Sequence, residues 1–493
     1  MEDALVISVL VVYGICVLIW SLYTFSMIHL IYYVVRDKIL KKKRSIPQFE
    51  EGAELPLVTV QLPMYNEFHV AEGVIDACAQ FDYPGDKFEI QVLDDSTDES
   101  KDIVDARVAY WQEKGVDIKV IRREKREGFK AGALAYATPM AKGEFIAIFD
   151  ADFKPSPDFL MKALPYFNSE DVGVIQGRWG HANRDYSLLT RLQALALDSF
   201  YLIEQKGRII ADYYTRFNGS GGIWRKTAIE DAGGWTPDTL CEDLDLGYRA
   251  QLKGWKFKYA DEIVCDGEVP VTMSGLKSQH YRWHKGKAEV VKKLLGNVMK
   301  AKIPFMTKVH AMVDLLNIWA TAAILGLGLF SVPFSYIYVK YTEYHDYIVY
   351  FSIALIHTPI IIYMIYYVLK FKYKSRSRTV LEFFKQFPPF TFLFTGIAIV
   401  QCIGIVDGFR GKTTPFIRTP KYNLKTRSDV WRGKKYSPKT IPRSTYFEAF
   451  LFLFFVGGLI IDFVYGAYAF VLFHSFLTAG SLYAFGLTFA QKN

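Results

Sequence analysis

The sequence predicts an α/β domain with a mixed, mainly parallel sheet, inserted between transmembrane α-helices. Residues 55–270 alternate short apolar, strand-like runs with helical stretches, as chains that build parallel sheets do. Long apolar segments lie on both sides of this region, and the first of them, residues 4–35, contains no Asp, Glu, Lys or Arg. Of the 493 residues 22% are charged, so only part of the chain can be embedded in lipid.

The apolar segments define the membrane part of this prediction. Residues 1–36 are expected to form an uncleaved transmembrane helix with its N-terminus outside, because a signal peptide has a basic start and a shorter apolar core. A basic linker at 37–54 leads to a cytoplasmic α/β domain at 55–300. The C-terminal membrane region, 301–493, is expected to contain four spanning helices, at about 311–334, 347–369, 447–467 and 470–490.

Between these helices lie an apolar segment and a basic one. Residues 380–409 are apolar but are interrupted by Pro388 and Pro389. If this segment crossed the membrane once, the basic stretch 410–443 would lie outside, against the preference of Lys and Arg for the cytoplasmic side. We therefore expect 380–409 to be interfacial or re-entrant, and 410–443 to be cytoplasmic.

Charge and cysteine content argue against other classes of protein. The net charge is +8, but the basic runs at 36–44 and 370–378 adjoin apolar segments, which is typical of cytoplasmic loops of membrane proteins. Five scattered cysteines without a Cys-x-x-Cys pair argue against a disulfide framework or a zinc site. We therefore expect a lipid bilayer, and no nucleic acid, among the partners.

Acidic clusters mark the ends of three elements in the α/β domain. They are Asp94 and Asp95 at the end of one strand, Asp150 and Asp152 after another, and Glu242, Asp243 and Asp245 before a helix. Each cluster alone has an ordinary explanation, as a turn, N-cap or first-turn residue. Because ligands bind beyond the carboxyl ends of parallel strands, their conjunction favours a functional site.

The spacing of Asp150 and Asp152 suits a divalent cation. Mg²⁺ takes oxygen ligands, usually one or two carboxylates together with substrate phosphates. Such an ion would neutralise a diphosphate leaving group, and a further carboxylate could act as general base on an incoming hydroxyl. Lys130 and Gly132, at the start of a predicted helix, suit an anion. The glycine-rich stretch 218–224 is interpreted as a loop that lines a cleft.

Seven ordered motifs resemble those of the family 2 processive glycosyltransferases, the cellulose, mannan and hyaluronan synthases. They are PMYNE (63–67), QVLDDSTD (91–98), KAGAL (130–134), FDADF (149–153), NGSGGIWR (218–225), CEDLDL (241–246) and QHYRW (279–283). The match covers roughly residues 55–290. It is strongest to the plant cellulose-synthase-like mannan and glucan synthases.

The resemblance implies a GT-A fold and a membrane-integrated, inverting hexosyltransferase that depends on Mg²⁺ or Mn²⁺. It implies that Asp243 is the catalytic base and that Asp150 and Asp152 hold the metal. The nucleotide-sugar site implied by it comprises Tyr65, Glu67, Asp94, Asp95, Lys130, Asp150 and Asp152. The diphosphate and acceptor site implied by it comprises Glu242, Gln279, Arg282 and Trp283.

Two positions depart from the family motifs. His280 stands where the family has Gln or Arg. The stretch PFIRTPKY (415–422) only loosely resembles the Phe-x-Val-Thr-x-Lys gating loop of bacterial cellulose synthase, because Arg418 replaces the valine. If that likeness holds, Phe416, Thr419 and Lys421 close over the bound nucleotide from the cytoplasmic side.

The expected product is a β-linked polysaccharide, made from UDP-glucose or GDP-mannose and passed through the helices. The alternative is a non-processive transferase that makes a glycolipid, like ceramide glucosyltransferase. A transporter or scaffold is disfavoured, because the expected spans are nearly bare of charge. Expected partners are the nucleotide-sugar, a glycan or lipid acceptor and the bilayer. The sequence is also compatible with an accessory subunit or a homo-oligomer. The expected location is a plasma membrane, or a Golgi membrane in a eukaryote.

Overall fold

A single sheet forms the centre of the α/β region. The computed structural model describes residues 2–40, 46–344, 357–414, 418–424 and 426–492. Within them the strands are β1 (Val58–Met64), β2 (Phe88–Asp94), β3 (Ile118–Ile121), β4 (Phe145–Ile148), β5 (Val172–His181), β6 (Gly222–Arg225) and β7 (Lys256–Gly267). Their order across the sheet is β3-β2-β1-β4-β6-β5-β7. β6 is antiparallel to both neighbours, and the other neighbouring pairs are parallel.

The expected mixed, mainly parallel sheet is confirmed. β1 to β5 coincide with the apolar runs that the sequence predicted, and every residue of β2 is buried, as in a sheet covered on both faces. Because β6 is antiparallel, the carboxyl ends of β1, β2, β4, β5 and β7 all lie at one edge of the sheet. The loop that precedes β6 reaches the same edge.

Helices cover the sheet and flank it in sequence. Before and within the sheet region they are α1 (Glu2–Ile39), α2 (Ala71–Ala79), α3 (Ser100–Glu113), α4 (Phe129–Ala137), α5 (Phe159–Ala163), α6 (Leu188–Ser199), α7 (Lys206–Ile210), α8 (Lys226–Asp231) and α9 (Glu242–Leu252). After it they are α10 (Met273–Lys300), α11 (Phe305–Leu316), α12 (Ile318–Lys340), α13 (His357–Tyr373), α14 (Arg376–Gly396), α15 (Ala398–Phe409), α16 (Ser444–Tyr465) and α17 (Tyr468–Ala490).

Five helical segments in the described residues are long and apolar enough to cross a membrane. They are Asp3–Ile39, Ile318–Lys340, Arg376–Phe409, Ser444–Tyr465 and Tyr468–Ala490. The helix expected at 311–334 is divided at Asn317, between α11 and α12. The span expected at 347–369 lies partly outside the described residues, as does part of the basic linker.

The segment 380–409 is helical in the structure. Pro388 and Pro389 lie inside α14, and only Ile397 separates α14 from α15. By length and composition the combined segment could cross a membrane. The expectation that it is interfacial or re-entrant therefore stays a prediction.

Helix α10 joins the α/β region to the apolar helices. A Cβ added at Gly286 would lie 2.6 Å from the Sγ atom of Cys241, just before α9. On another face of α10, a Cβ added at Gly404 of α15 would lie 2.6 Å from the carbonyl oxygen of Tyr281. Close backbone packing therefore holds α10 between the two parts.

Candidate active site

A cavity of about 260 Å³ opens at the edge of the sheet where the parallel strands end. Tyr65 directly follows β1, Asp95 directly follows β2, and one residue separates Asp150 from the end of β4. His181 is the last residue of β5, and Glu268 follows β7. Strand direction thus brings side chains that are far apart in sequence to one place.

Nearly all of the residues that the sequence indicated line this cavity. They are Tyr65, Glu67, Asp95, Lys130, Asp150, Asp152, Glu242, Asp243, Gln279, Arg282, Trp283, Thr419 and Lys421. Asp94 does not: it is buried, and its Oδ2 accepts a hydrogen bond of 2.8 Å from Arg122. Adjacent strand residues point to opposite faces, which separates Asp94 from Asp95. His280 bonds to Gln401 beyond the cavity lining, and Phe416 lies outside the described residues.

Lys130 is shared among the acidic residues. Its Nζ donates to Asp150 Oδ1 (2.5 Å) and to the carbonyl oxygen of Gly219 (2.8 Å), and lies 3.7 Å from Glu242 Oε1. Burial alone would lower the pKa of Lys130, but the carboxylates of Asp150 and Glu242 outweigh it and the net shift is upward. The side chain therefore remains a cation at the centre of the site.

Asp243 lies in the first turn of α9, where its Oδ1 accepts a hydrogen bond of 2.8 Å from the backbone N–H of Leu244. Burial, followed by the charge of Glu242, raises the pKa of Asp243 to about 7. A carboxylate that titrates near neutral pH is suited to accept a proton. Gly219 faces it with φ +81°, and a Cβ there would lie 3.0 Å from Asp243 Oδ2, so the loop needs glycine at this point.

The Asp150 and Asp152 carboxylates each bond a lysine through one oxygen. Asp152 Oδ2 accepts hydrogen bonds from Lys421 Nζ (2.7 Å) and from the backbone N–H of Glu268 (2.9 Å). In the described part of the chain, no hydrogen bond or ion pair involves Oδ2 of Asp150 or Oδ1 of Asp152. One oxygen of each carboxylate is therefore available to a ligand.

Negative charge exceeds positive charge at the cavity. Among the described lining residues, seven are carboxylates: Glu67, Asp95, Asp150, Asp152, Glu242, Asp243 and Glu268. Five are cationic: Arg126, Lys130, Arg282, Arg418 and Lys421. Arg123, which lies outside the lining, neutralises Asp95, so a formal excess of one negative charge remains at the cavity.

The donor set fits Mg²⁺ or Mn²⁺ bound together with a substrate. No group of three or more His, Cys, Asp and Glu side chains in the described residues is arranged to hold a metal. Asp150 and Asp152 would supply two carboxylate oxygens, and phosphate and water oxygens would complete the coordination, as is usual for Mg²⁺.

Residues 418–424 lie against the cavity. Arg418 Nε donates to Glu67 Oε1 at 2.7 Å, and Arg282 Nη2 donates to Thr419 Oγ1 at 2.7 Å. Burial raises the pKa of Glu67 to about 7, although the Arg418 charge opposes this shift. Tyr422 and Leu424 are buried, so the segment is anchored beside the cavity by apolar contacts.

The lining also contains residues that were not expected from the sequence as site residues, among them Arg126, His181, Glu268 and Arg418. The guanidinium of Arg126 lies 3.4 Å from the ring centroid of Tyr65. Glu268 is another carboxylate directly after a strand, so recognising β7 would have indicated it. Arg418 was visible only as a departure from a motif, and its partner Glu67 is 351 positions away.

Comparisons with known proteins agree with this geometry. Residues 56–286 match the glycosyltransferase-like family 2. Glucomannan 4-beta-mannosyltransferase 1 of Oryza sativa subsp. japonica is 37% identical over 288 residues, which cover 56% of this chain and 55% of the relative. Glucomannan 4-beta-mannosyltransferase 7 of Arabidopsis thaliana is 39% identical over 256 residues, which cover 51% and 46%. The chain therefore spans about half the length of these curated relatives.

Among solved structures, the mannosyltransferase PcManGT from Pyrobaculum calidifontis, in complex with GDP-Man and Mn²⁺, is similar with 23% identity and a TM-score of 0.48. The alignment covers 70% of this chain and 97% of that one. The family match, the motif order and the mixed sheet with its ligand edge lead to one assignment. Residues 56–286 match the glycosyltransferase-like family 2 and form a mixed sheet of GT-A-like fold, flanked by apolar helices.

Proposed function

We propose that this chain is a membrane-integrated, inverting glycosyltransferase that transfers a hexose from a nucleotide-sugar to a growing β-linked polysaccharide. The observation that carries the proposal is that Asp243, with a pKa of about 7, lines the same cavity as Asp150 and Asp152. The relatives named above are mannosyltransferases, so of the two expected donors we favour GDP-mannose over UDP-glucose.

Asp243 is proposed to take the proton from the attacking acceptor hydroxyl. The hydroxyl oxygen bonds to C1 of the donor sugar from the side opposite the diphosphate, the bond from C1 to the diphosphate oxygen breaks, and the configuration at C1 inverts. Arg282 and Lys130 place positive charge where the leaving group gains negative charge. A divalent cation bound by Asp150 and Asp152 would neutralise the same diphosphate.

The nucleoside is proposed to bind beside β1 and β2. Asp95 forms a salt bridge with Arg123, and Arg126 covers the Tyr65 ring, so charged and aromatic groups meet there. Thr419 and Lys421 would contact the diphosphate from the cytoplasmic side, since Lys421 already reaches Asp152. The polysaccharide would leave through the helices that follow α10.

The proposal is tested with the purified full chain in lipid nanodiscs. Nucleotide release from GDP-mannose and UDP-glucose is measured with and without Mg²⁺ or Mn²⁺, and products are sized. We expect Asp243→Asn to bind donor but to transfer about 10²- to 10⁴-fold more slowly. Asp238→Asn, on an exposed side chain outside the cavity, is the matched control.

Retained turnover in Asp243→Asn would exclude Asp243 as the base. Release of nucleotide from neither donor would contradict the proposed function. A single glycolipid in place of a polymer ladder would replace the polysaccharide product with a lipid-linked one.

A further inference from the structure

His181 and Asp198 form a hydrogen-bonded pair beside the cavity. His181 ends β5 and lines the cavity, and its Nε2 lies 3.2 Å from Oδ1 of Asp198 on α6. The other carboxylate oxygen of Asp198 accepts a hydrogen bond from Arg184. Both side chains of the pair are buried, so the carboxylate holds the imidazole in one orientation.

This pairing determines which nitrogen of His181 carries the proton. A carboxylate only accepts hydrogen bonds, so Nε2 must be the donor. Burial lowers the pKa of His181, although the Asp198 charge opposes the shift, so the ring is neutral near pH 7. Its Nδ1 is then an acceptor, and no hydrogen bond within the described residues involves that atom.

The sheet order places His181 on the side of the cavity where the donor sugar and the acceptor are expected to bind. Tyr65 and Asp95 follow β1 and β2, and the aspartate pair follows β4. Two strand intervals separate β4 from β5, on the side away from β1. At about 4.8 Å per interval, β5 lies about 10 Å beyond β4. A donor that runs from nucleoside at β1 and β2 to diphosphate at β4 therefore directs its sugar and acceptor towards β5.

An aromatic ring accompanies His181 on this side. Trp179 lies two residues earlier on the same face of β5 and also lines the cavity. Its Nε1 donates to the carbonyl oxygen of Ser220 at 2.9 Å, which fixes the ring. A ring face beside a hydrogen-bond acceptor suits a saccharide, which has apolar C–H faces and a rim of hydroxyl donors.

We propose that His181, oriented by Asp198, binds the saccharide acceptor, with Nδ1 accepting a hydrogen bond from one of its hydroxyls. The inference rests on the proposed function and adds to it a residue that selects the acceptor. Proton transfer stays with Asp243. His181 supplies a neutral acceptor at a fixed position, and Asp198 acts through it as a positioning residue.

Calorimetric binding of a β-1,4-linked mannohexaose probe to the full chain in nanodiscs tests this inference. His181→Phe keeps a ring but removes the acceptor nitrogen, and should weaken binding about two- to tenfold, the value of one neutral hydrogen bond. His181→Asn, which returns a polar atom near the position of Nδ1, should recover part of the loss. GDP affinity is the internal reference, and His69→Asn, outside the cavity lining, is the control.

The two proposals can fail separately. If His181→Phe binds mannohexaose as wild type does, or loses GDP affinity equally, the acceptor role of His181 is wrong even where wild type transfers sugar. If no donor turns over but His181→Phe selectively loses saccharide affinity, the subsite stands and the proposed reaction falls. Should His181→Phe fail to fold, the result for His181→Asn alone decides: a partial loss of mannohexaose affinity with unchanged GDP affinity would support the acceptor role, and an affinity equal to that of wild type, or an equal loss for both ligands, would overturn it.

Discussion

Buried charges are arranged differently at the cavity and among the apolar helices. At the cavity, carboxylates outnumber cations, and Lys130 is shared between Asp150 and Glu242. Between α10 and α16, one buried lysine faces one buried glutamate. Lys277 Nζ on α10 lies 2.5 Å from Glu448 Oε2 on α16, with both side chains at most 2% exposed.

This difference indicates that the charges at the cavity serve binding, whereas the Lys277–Glu448 pair serves structure. A buried pair of opposite charges is satisfied internally, and here the Lys277 ammonium also donates to Thr488 at 2.6 Å. A set of carboxylates with too few cations is satisfied by protonation, as the raised pKa values of Glu67 and Asp243 indicate, or by a ligand that brings positive charge. The carboxylates at the cavity therefore lower the stability of the protein until a ligand binds, whereas the Lys277–Glu448 pair holds α10 and α16 together.

Helix α10 connects the two arrangements. With about 100° per residue, Lys277 lies on the side of α10 opposite to Arg282 and Trp283. One face thus carries an ion pair to α16, and the other faces the cavity. The apolar helices and the site thus share one helix, α10.

The largest expected effect is on stability, at the Lys277–Glu448 ion pair between α10 and α16. Glu448→Gln leaves the Lys277 ammonium buried without a counter-charge, and should lower the free energy of unfolding by about 3–5 kcal/mol. Thermal unfolding in nanodiscs measures it, with Glu343→Gln, on an exposed residue, as control. The exchange Lys277→Glu with Glu448→Lys should recover part of the loss. Equal stability of Glu448→Gln and wild type would show that the pair is not structural.

A smaller effect is expected at the cavity. Asp152→Asn removes one carboxylate of the proposed metal pair, and should lower kcat/KM about 10²- to 10³-fold, as does loss of one transition-state stabilising group. Its response to added Mg²⁺ or Mn²⁺ should flatten, which titration of nucleotide release against metal concentration measures. Asp171→Asn, at a surface salt bridge with Lys256, is the control. An unchanged metal response would remove Asp152 from the metal site.

The smallest effect concerns the stability cost of the proposed base. The pKa of Asp243 is raised from 3.8 to about 7 in the folded protein, so the folded state binds this proton more tightly than the unfolded state. Ionisation of Asp243 therefore lowers the stability of the folded protein. The loss is absent below pH 3.8, grows between pH 3.8 and pH 7, and is complete above pH 7. Asp243→Asn should therefore be more stable than wild type at pH 8, which is measured as a higher Tm.

This gain should vanish as the pH approaches 4, which distinguishes it from a general packing effect. Thermal unfolding of wild type and Asp243→Asn at pH 5, 6.5 and 8 provides the measurement. A variant that is less stable than wild type at pH 8 would contradict the view that functional carboxylates are held at a cost.

Several features of the site could be predicted because they depend on local patterns. Asp95, Asp150 and Asp152 follow apolar runs, and parallel strands bring their carboxyl ends to one edge. Asp94 could not be separated from Asp95 in this way, because the exact end of a strand decides which residue faces the cavity. His181 carried no sequence signal, since its partner Asp198 lies on another element.

The sequence by itself determined where the strands and apolar helices lie and which carboxylates end them, because hydrophobic period and chain direction are local properties. Only the tertiary structure decided which cation meets which carboxylate. Lys421 reaches Asp152 across 269 positions, and β6 inserts between β4 and β5 to set the distance of His181 from the aspartates. Such pairings depend on sheet order and on packing of distant segments, which spacing along the chain does not encode.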